Sequence, residues 1–243
     1  MSEQKEMLVF DPVTGGHVKM KPVTQLRPEA RRQFEREDEL SRLPDHPNHC
    51  FPIIPKGARV LAIGDGGGWK GQADGMELFH ASDPDPEAPV WRKEQNPDDP
   101  CIIGYGEDLS AYKDADYTFL YSRGAVMFMD IPKFMAEAAR VTRPGATMWI
   151  MYHSWRKTVR HMFHSLGHGR IKDVIYRMYV LANGLLFHFT GKLMHFPIRK
   201  DRMESFQTKH AIRRELERAG FTNVVFHPRE GGKISDYFTA VRR

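Results

Sequence analysis

Five residues at the end of an apolar run, Gly64-Asp-Gly-Gly-Gly68, supply the glycines of a G-x-G-x-G loop. Without Cβ atoms the backbone N–H groups of such a loop can approach a nucleoside or a carboxylate closely. Asp83 stands fifteen residues beyond Gly68, before Pro84. A carboxylate there suits either a ribose diol, whose two hydroxyls it can accept, or a tight turn. His153 closes another apolar run, Ala146-Thr-Met-Trp-Ile-Met-Tyr-His153, where it can serve as a general base or simply cap a strand end. His161, His164 and His168 share one helix face by spacing. With no Cys nearby and no H-E-x-x-H pattern, no metal site is expected. Cys50 and Cys101 are too few for a disulfide framework and read as reduced thiols.

These residues need elements to hold them. From residue 57 the pattern alternates strand and helix: Ala58–Ile63, Glu77–Ala81, Cys101–Gly104, Tyr117–Tyr121 and Ala146–His153 read as strands. The clearest helix follows Asp130, a candidate cap, with Pro132 in the first turn and Ile131, Phe134, Met135 and Ala138 at i, i+3, i+4, i+7. Arg143-Pro-Gly145 stops it. A helix over Ala211–Ala219 ends at Gly220, and two closing strands, Thr222–His227 and Tyr237–Val241, are joined by a Gly-Gly loop that suits an antiparallel edge pair. Upstream, Glu29–Arg42 is a charged helix with a thin apolar stripe, expected to lie peripherally.

Charge is divided unevenly. Residues 154–243 hold 18 Lys/Arg against 7 Asp/Glu, a balance of +11 within a whole-chain charge of +5. The basic residues are dispersed and carry no recognisable nucleic-acid motif, so nucleic acid is not the expected partner. No apolar run reaches the roughly 18 to 20 residues of a membrane span, and the charged start reads as no secretory signal, which points to the cytoplasm. Between residues 154 and 204, Ile171, Val174, Ile175, Met178, Ala182, Leu185, Leu186 and Phe189 form one helical stripe. It reads as a cap packed on the core rather than a membrane-surface helix. Tyr176, Tyr179, Phe187 and Phe189 would suit an apolar or aromatic small molecule.

Tyr121-Ser-Arg-Gly-Ala125, the helix ending in Ala136-Glu-Ala-Ala-Arg-Val-Thr-Arg-Pro-Gly-Ala146, and the closing Arg218-Ala-Gly-Phe221 and Tyr237–Arg242 complete a longer pattern. In order and spacing it resembles the class I S-adenosylmethionine-dependent methyltransferases of the small-molecule type, over residues 57–153 and 205–243. The resemblance implies an α/β fold: a Rossmann-like seven-stranded methyltransferase sheet with an antiparallel edge strand and a helical cap insert. Residues 1–56 would be an N-terminal extension, 57–243 the methyltransferase domain and 154–204 the insert. It implies S-adenosyl-L-methionine as cofactor, with Gly64, Asp65, Gly66 and Gly68 at the methionine and ribose part and Asp83 on the ribose. Gly106, Glu107 and Asp108 would flank the adenine, and Ser122 would lie beside the methionyl end. Three positions depart from the family pattern: Ala62 and Thr118 where strands usually carry acids, and Tyr105 where an adenine-contacting Asp is usual.

The expected activity is methyl transfer to an oxygen, nitrogen or carbon of a small, apolar or aromatic molecule, with His153 as the candidate base. The other classes are a non-catalytic cofactor- or partner-binding protein on the same fold and a nucleic-acid methyltransferase. Homo-oligomerisation is left open.

Overall fold

The computed structural model describes residues 6–46, 49–65, 75–97, 100–200, 202–227 and 236–243. Gly66, Gly68 and the Gly-Gly loop between the closing strands lie outside the described residues.

The sheet forms around Arg59–Ile63 (β3), whose RVLAI run is buried from Val60 to Ile63, as a parallel strand covered on both faces must be. Leu78–Asp83 (β4), Cys101–Ile103 (β5), Tyr117–Arg123 (β6) and Thr142–Tyr152 (β7) add parallel to it. Asp236–Arg242 (β9) pairs antiparallel with β7, and Phe221–His227 (β8) antiparallel with β9, giving the order β5-β4-β3-β6-β7-β9-β8. The chain moves outward from β3 through β4 to β5, then returns to β6 on the other side of β3. That reversal opens a crevice at the C-terminal ends of β3 and β6, where ligands of open α/β sheets gather.

Ala88–Gln95 (α2), a helix with Pro89 in its first turn that sequence periodicity did not reveal, connects β4 to β5. Ile131–Val141 (α3) begins as expected: Asp130 accepts a hydrogen bond from Lys133 N–H, and Ile131, Phe134, Met135 and Ala138 are buried. Arg143-Pro-Gly145 ends the helix but belongs to β7, which starts at Thr142 and pairs with Tyr117 before a register shift. Lys209–Arg218 (α6), capped by Thr208, precedes β8.

The extension is a hairpin of Met7–Asp11 (β1) and Gly16–Met20 (β2), then Pro28–Arg42 (α1). Phe34 of α1 stacks on Trp91 of α2 at 5.6 Å, and Arg27 donates to the buried Glu87 through its backbone N–H and guanidinium. His17 reaches Asp108 at 2.7 Å. The peripheral helix of the sequence reading is thereby fastened to the edge of the sheet that carries the crevice.

The insert comprises Trp155–Gly167 (α4) and Ile171–Thr190 (α5). Here the structure corrects the sequence expectation. The stripe read as core-packed faces solvent: Ile171, Ile175, Met178, Ala182, Leu185 and Phe189 are exposed, while Tyr179, Val180, Asn183, Gly184 and Phe187 are buried. The helix's rotation is set by polar and steric fit. Asn183 donates to the Glu204 carbonyl at 2.9 Å and accepts from Met194 N–H at 2.9 Å. A Cβ on Gly184 would fall within the Phe206 ring.

Candidate active site

At the crevice lies a cavity of about 800 Å³. Its floor is the C-terminal end of the sheet. Gly64 leaves β3 with φ +66°, and a Cβ there would fall on the Ala125 side chain, so only glycine lets the exits of β3 and β6 touch. Next in the chain, Asp65 lines the cavity yet is itself 3% exposed. Its carboxylate accepts from the Tyr121 hydroxyl at 2.7 Å and Arg92 Nη1 at 3.2 Å, and Arg123 Nε lies 3.6 Å away. Burial and the Asp65 carboxylate hold the Tyr121 hydroxyl well above the usual tyrosine range. Ala62, which occupies the family's acidic position in the first strand, is buried in the apolar layer. A buried acid follows three residues later, at Asp65.

Asp83, at the tip of β4, lines the cavity and accepts from Asp85 N–H at 2.8 Å. Tyr105 and Gly106 form a further wall with Met129. A Cβ on Gly106 would approach Met129 Sδ to 2.7 Å and Phe134 Cδ2 to 2.9 Å, which requires glycine beneath that wall. Tyr105 meets Phe10 of the hairpin edge-on at 6.2 Å, and Pro12, Glu37, Asp38 and Ser41 of the extension also line the cavity.

Glu107 and Asp108 are not among the lining residues. Glu107 is buried, its carboxyl pushed up by desolvation, and it accepts from Asp130 N–H at 2.8 Å. Asp108 receives Ser110 N–H and pairs with His17. Both hold the loop and its neighbours. Ser122 is fully buried in β6, and its hydroxyl has no hydrogen-bond partner among the described residues. Thr118, where the family carries an acid, accepts from Arg59 N–H at 2.9 Å at the start of β6, while Asp116 supplies the carboxylate that pairs with Arg59.

His153 does not sit at the cavity mouth as its strand-end position suggested. It is 3% exposed, and Met127, Lys157 and Glu204 occupy the lining near it. Its backbone exchanges hydrogen bonds with Gln207, its Nδ1 lies 2.8 Å from Met127 Sδ, and Thr158 Oγ1 is 3.4 Å from Nε2. Burial, with Lys157 and Arg177 adding repulsion, lowers its pKa to about 3, so the ring is neutral at physiological pH. Gln207 takes up both backbone groups of His153, so the 203–207 segment covers this residue while Met151 and Tyr152 before it still line the cavity.

The insert forms the other end of the cavity. Met127, Met151, Tyr152, Tyr176 and Met203 give it an apolar surface. The insert also gives the lining Lys157, Arg177, His195 and Arg202 and one carboxylate, Glu204, which accepts from Arg177 Nη1 at 2.7 Å. Burial depresses the Lys157 ammonium. Sequence reasoning named none of Arg123, Lys157, Arg177, Arg202 or Glu204. Arg123 had a usable signal, its place directly after Ser122 at the end of a strand. The insert residues had none, since no motif spans 157 to 204.

A sulfonium nucleoside presents a zwitterionic amino-acid tail, a diol and a flat ring. The lining offers chemistry for each. Arg123 has a buried Nη1 with no hydrogen-bond partner among the described residues, Asp83 is an acid at a strand tip, and Tyr105, Gly106 and Met129 make an apolar wall. The residues present fit that group.

Residues 61–150 match the methyltransferase domain family. No curated protein matches the chain. Among solved structures, a TehB-like SAM-dependent methyltransferase from Corynebacterium glutamicum is similar with a TM-score of 0.54 at 12% identity, over 89% of this chain and 100% of that one. An S-adenosylmethionine dependent methyltransferase from Mesorhizobium loti gives a TM-score of 0.54 at 12% identity, over 79% and 94%. A SAM-dependent methyltransferase from Thermotoga maritima gives 0.50 at 14%, over 88% and 90%. At these identities the likeness to the solved structures is one of fold. The family match covers the strands that build the crevice, and with a lining suited to the cofactor it supports a methyltransferase domain on a Rossmann-like fold that uses S-adenosyl-L-methionine.

Proposed function

We propose that the enzyme methylates a small acceptor that joins an apolar or aromatic body to an acidic group. The observation that carries this reading is the composition of the cavity lining, where the apolar Met127, Met151, Tyr152, Tyr176 and Met203 stand with Lys157, Arg177 and Arg202, and Glu204 is the one carboxylate that the described residues of the insert contribute. An apolar wall removes water from the body of an acceptor, and the half-buried Lys157 and Arg177 with the exposed Arg202 favour an anionic substituent.

S-adenosyl-L-methionine, when bound, supplies an electrophilic methyl on a sulfonium. In our reading the loop beginning Gly64, Asp65, Gly66 and Gly68, with Asp83, Tyr105, Gly106 and Arg123, holds it. Glu107 and Asp108 act at one remove by fixing the 104–109 loop, and Ser122 lies behind the methionyl end. The insert orients the acceptor and excludes water, so alignment is the main source of rate. Glu204 is our candidate to receive a proton from an acceptor that carries one. His153 is assigned a positioning role, holding Met127 and the 205–207 segment, because a neutral buried ring outside the lining cannot reach a substrate proton.

The test is titration calorimetry with S-adenosyl-L-homocysteine, followed by a screen of aromatic carboxylates and their uncharged amides for product release. Asp83→Ala should weaken cofactor binding by roughly 1 to 3 kcal/mol, the worth of a charge-assisted hydrogen bond. Lys157→Gln and Arg202→Gln should raise KM for a carboxylate acceptor and leave cofactor affinity unchanged. Turnover of amides as efficient as that of the acids would refute the acidic-acceptor reading.

A further inference from the structure

Among the described residues, the outer face of the insert is left uncovered. Ile171, Ile175, Met178, Leu185 and Phe189 are 58, 47, 59, 51 and 74% exposed. At about 100° per residue these five positions fall within an arc of roughly 80°, along a helix about 30 Å long. The opposite arc, with Val180, Gly184 and Phe187, is the one buried against the domain. On the adjoining α4, Trp155, Phe163 and Leu166 are 50, 62 and 53% exposed. Scattered exposed apolar residues are ordinary; a continuous stripe of this length marks an interaction surface.

Charge identifies what covers it. Arg156 and Arg160 of α4, Arg170 and Lys172 at the start of α5, and Lys192 and Lys200 in the segment that follows it are exposed. Over residues 154–200 the one acid is Asp173, which lies 3.6 Å from Arg170. A second copy of this face would bring the same cations against these. A lipid surface with anionic headgroups offers both the apolar depth and the opposite charge. No described helix is long and apolar enough to cross a membrane, so the mode is one of lying on the surface.

We propose that the outer face of α4 and α5 seats this protein on an anionic lipid surface, with the Ile171–Phe189 stripe at the headgroup–acyl boundary and these Arg and Lys on the headgroups. The same helices contribute Lys157, Tyr176 and Arg177 to the cavity, so docking sets the acceptor end of the cavity close to the lipid. The proposal rests on the exposed face and stands whether or not the acidic-acceptor reading does.

The experiment is co-sedimentation of the full chain with phosphatidylcholine vesicles, with and without about 30% phosphatidylglycerol, alongside light scattering of the protein alone. The protein should sediment with the anionic vesicles and remain in the supernatant with the neutral ones. Leu185→Glu combined with Phe189→Glu should lower the bound fraction roughly tenfold or more, and Lys172→Glu should lower it further. S-adenosyl-L-homocysteine affinity should be unchanged in these variants, which shows that they are folded. Three results would overturn the proposal: no sedimentation with either vesicle, anionic binding that survives the double Glu variant, or a dimer in solution that the double variant dissociates. Equal binding to neutral vesicles would overturn the anionic assignment.

Discussion

Replacing Arg92 with Met removes the guanidinium from a buried carboxylate while keeping much of the side-chain volume. Arg92 is 3% exposed and donates from Nη1 both to the Asp65 carbonyl at 3.0 Å and to its carboxylate at 3.2 Å. Removing one partner of a buried ion pair costs about 3–5 kcal/mol, because the remaining charge is left in a poor solvent. Here the Tyr121 hydroxyl at 2.7 Å and Arg123 Nε at 3.6 Å stay in place, so the lower end, about 3 kcal/mol, is expected. At about 2–4 °C per kcal/mol for a chain of this size, the thermal midpoint should fall by about 6–12 °C. Urea unfolding of Arg92→Met, Asp65→Asn and the double variant measures the coupling. The double variant should recover part of that loss, since the buried carboxylate is gone, the remainder being the ion pair that Arg123 loses with Asp65. An Arg92→Met protein within about 1 kcal/mol of wild type, or a double variant no better than the single, would refute the reasoning.

Two further outcomes follow from the same packing. Because the His153 ring stays neutral down to about pH 3 whereas in the unfolded chain it protonates near 6.5, stability falls as pH drops below about 6.5. That one group contributes a loss of about 2 kcal/mol between pH 8 and pH 5. His153→Gln should flatten that limb in urea titrations at the two pH values, with the depressed His80 and His161 leaving a residual slope; an unchanged slope would mean that the ring is not buried. Gly184→Ala should destabilise by about 1–3 kcal/mol despite alanine's better helix propensity, because the Phe206 ring must move. Leu185→Ala, one residue on but facing solvent, should stay within about 0.5 kcal/mol in the same melt.

Local pattern was enough for the parts of the protein whose physics is local. The apolar Val60–Ile63 run of β3, bounded by a glycine turn, suits a covered parallel strand, Asp130 and Pro132 begin α3, and Gly64 ends β3 because its backbone has to turn where a Cβ would strike Ala125. The alternation of such pieces implied the doubly covered sheet and, with the Arg-Pro-Gly helix stop, the family.

Long-range packing settled the rest. The glycine-rich stretch announced a ligand loop, but nothing within it says that Asp65 will be buried against Arg92, Tyr121 and Arg123, which arrive from 27 or more residues away. His153 looked like a site residue because strand ends usually open onto the crevice; the 203–207 segment, fifty residues on, closes over it. In α5 helical periodicity singled out the Ile171–Phe189 stripe, yet the opposite arc, with Val180, Asn183, Gly184 and Phe187, is the one buried. The choice of which arc is buried came from Asn183 finding the backbone of Met194 and Glu204, and from Gly184 making room for Phe206. Those contacts leave Ile171, Met178 and Phe189 on the outside, a result that only the assembled structure could decide, because hydrophobic periodicity along one helix carries no information about the distant backbone groups and rings that its polar and small residues meet.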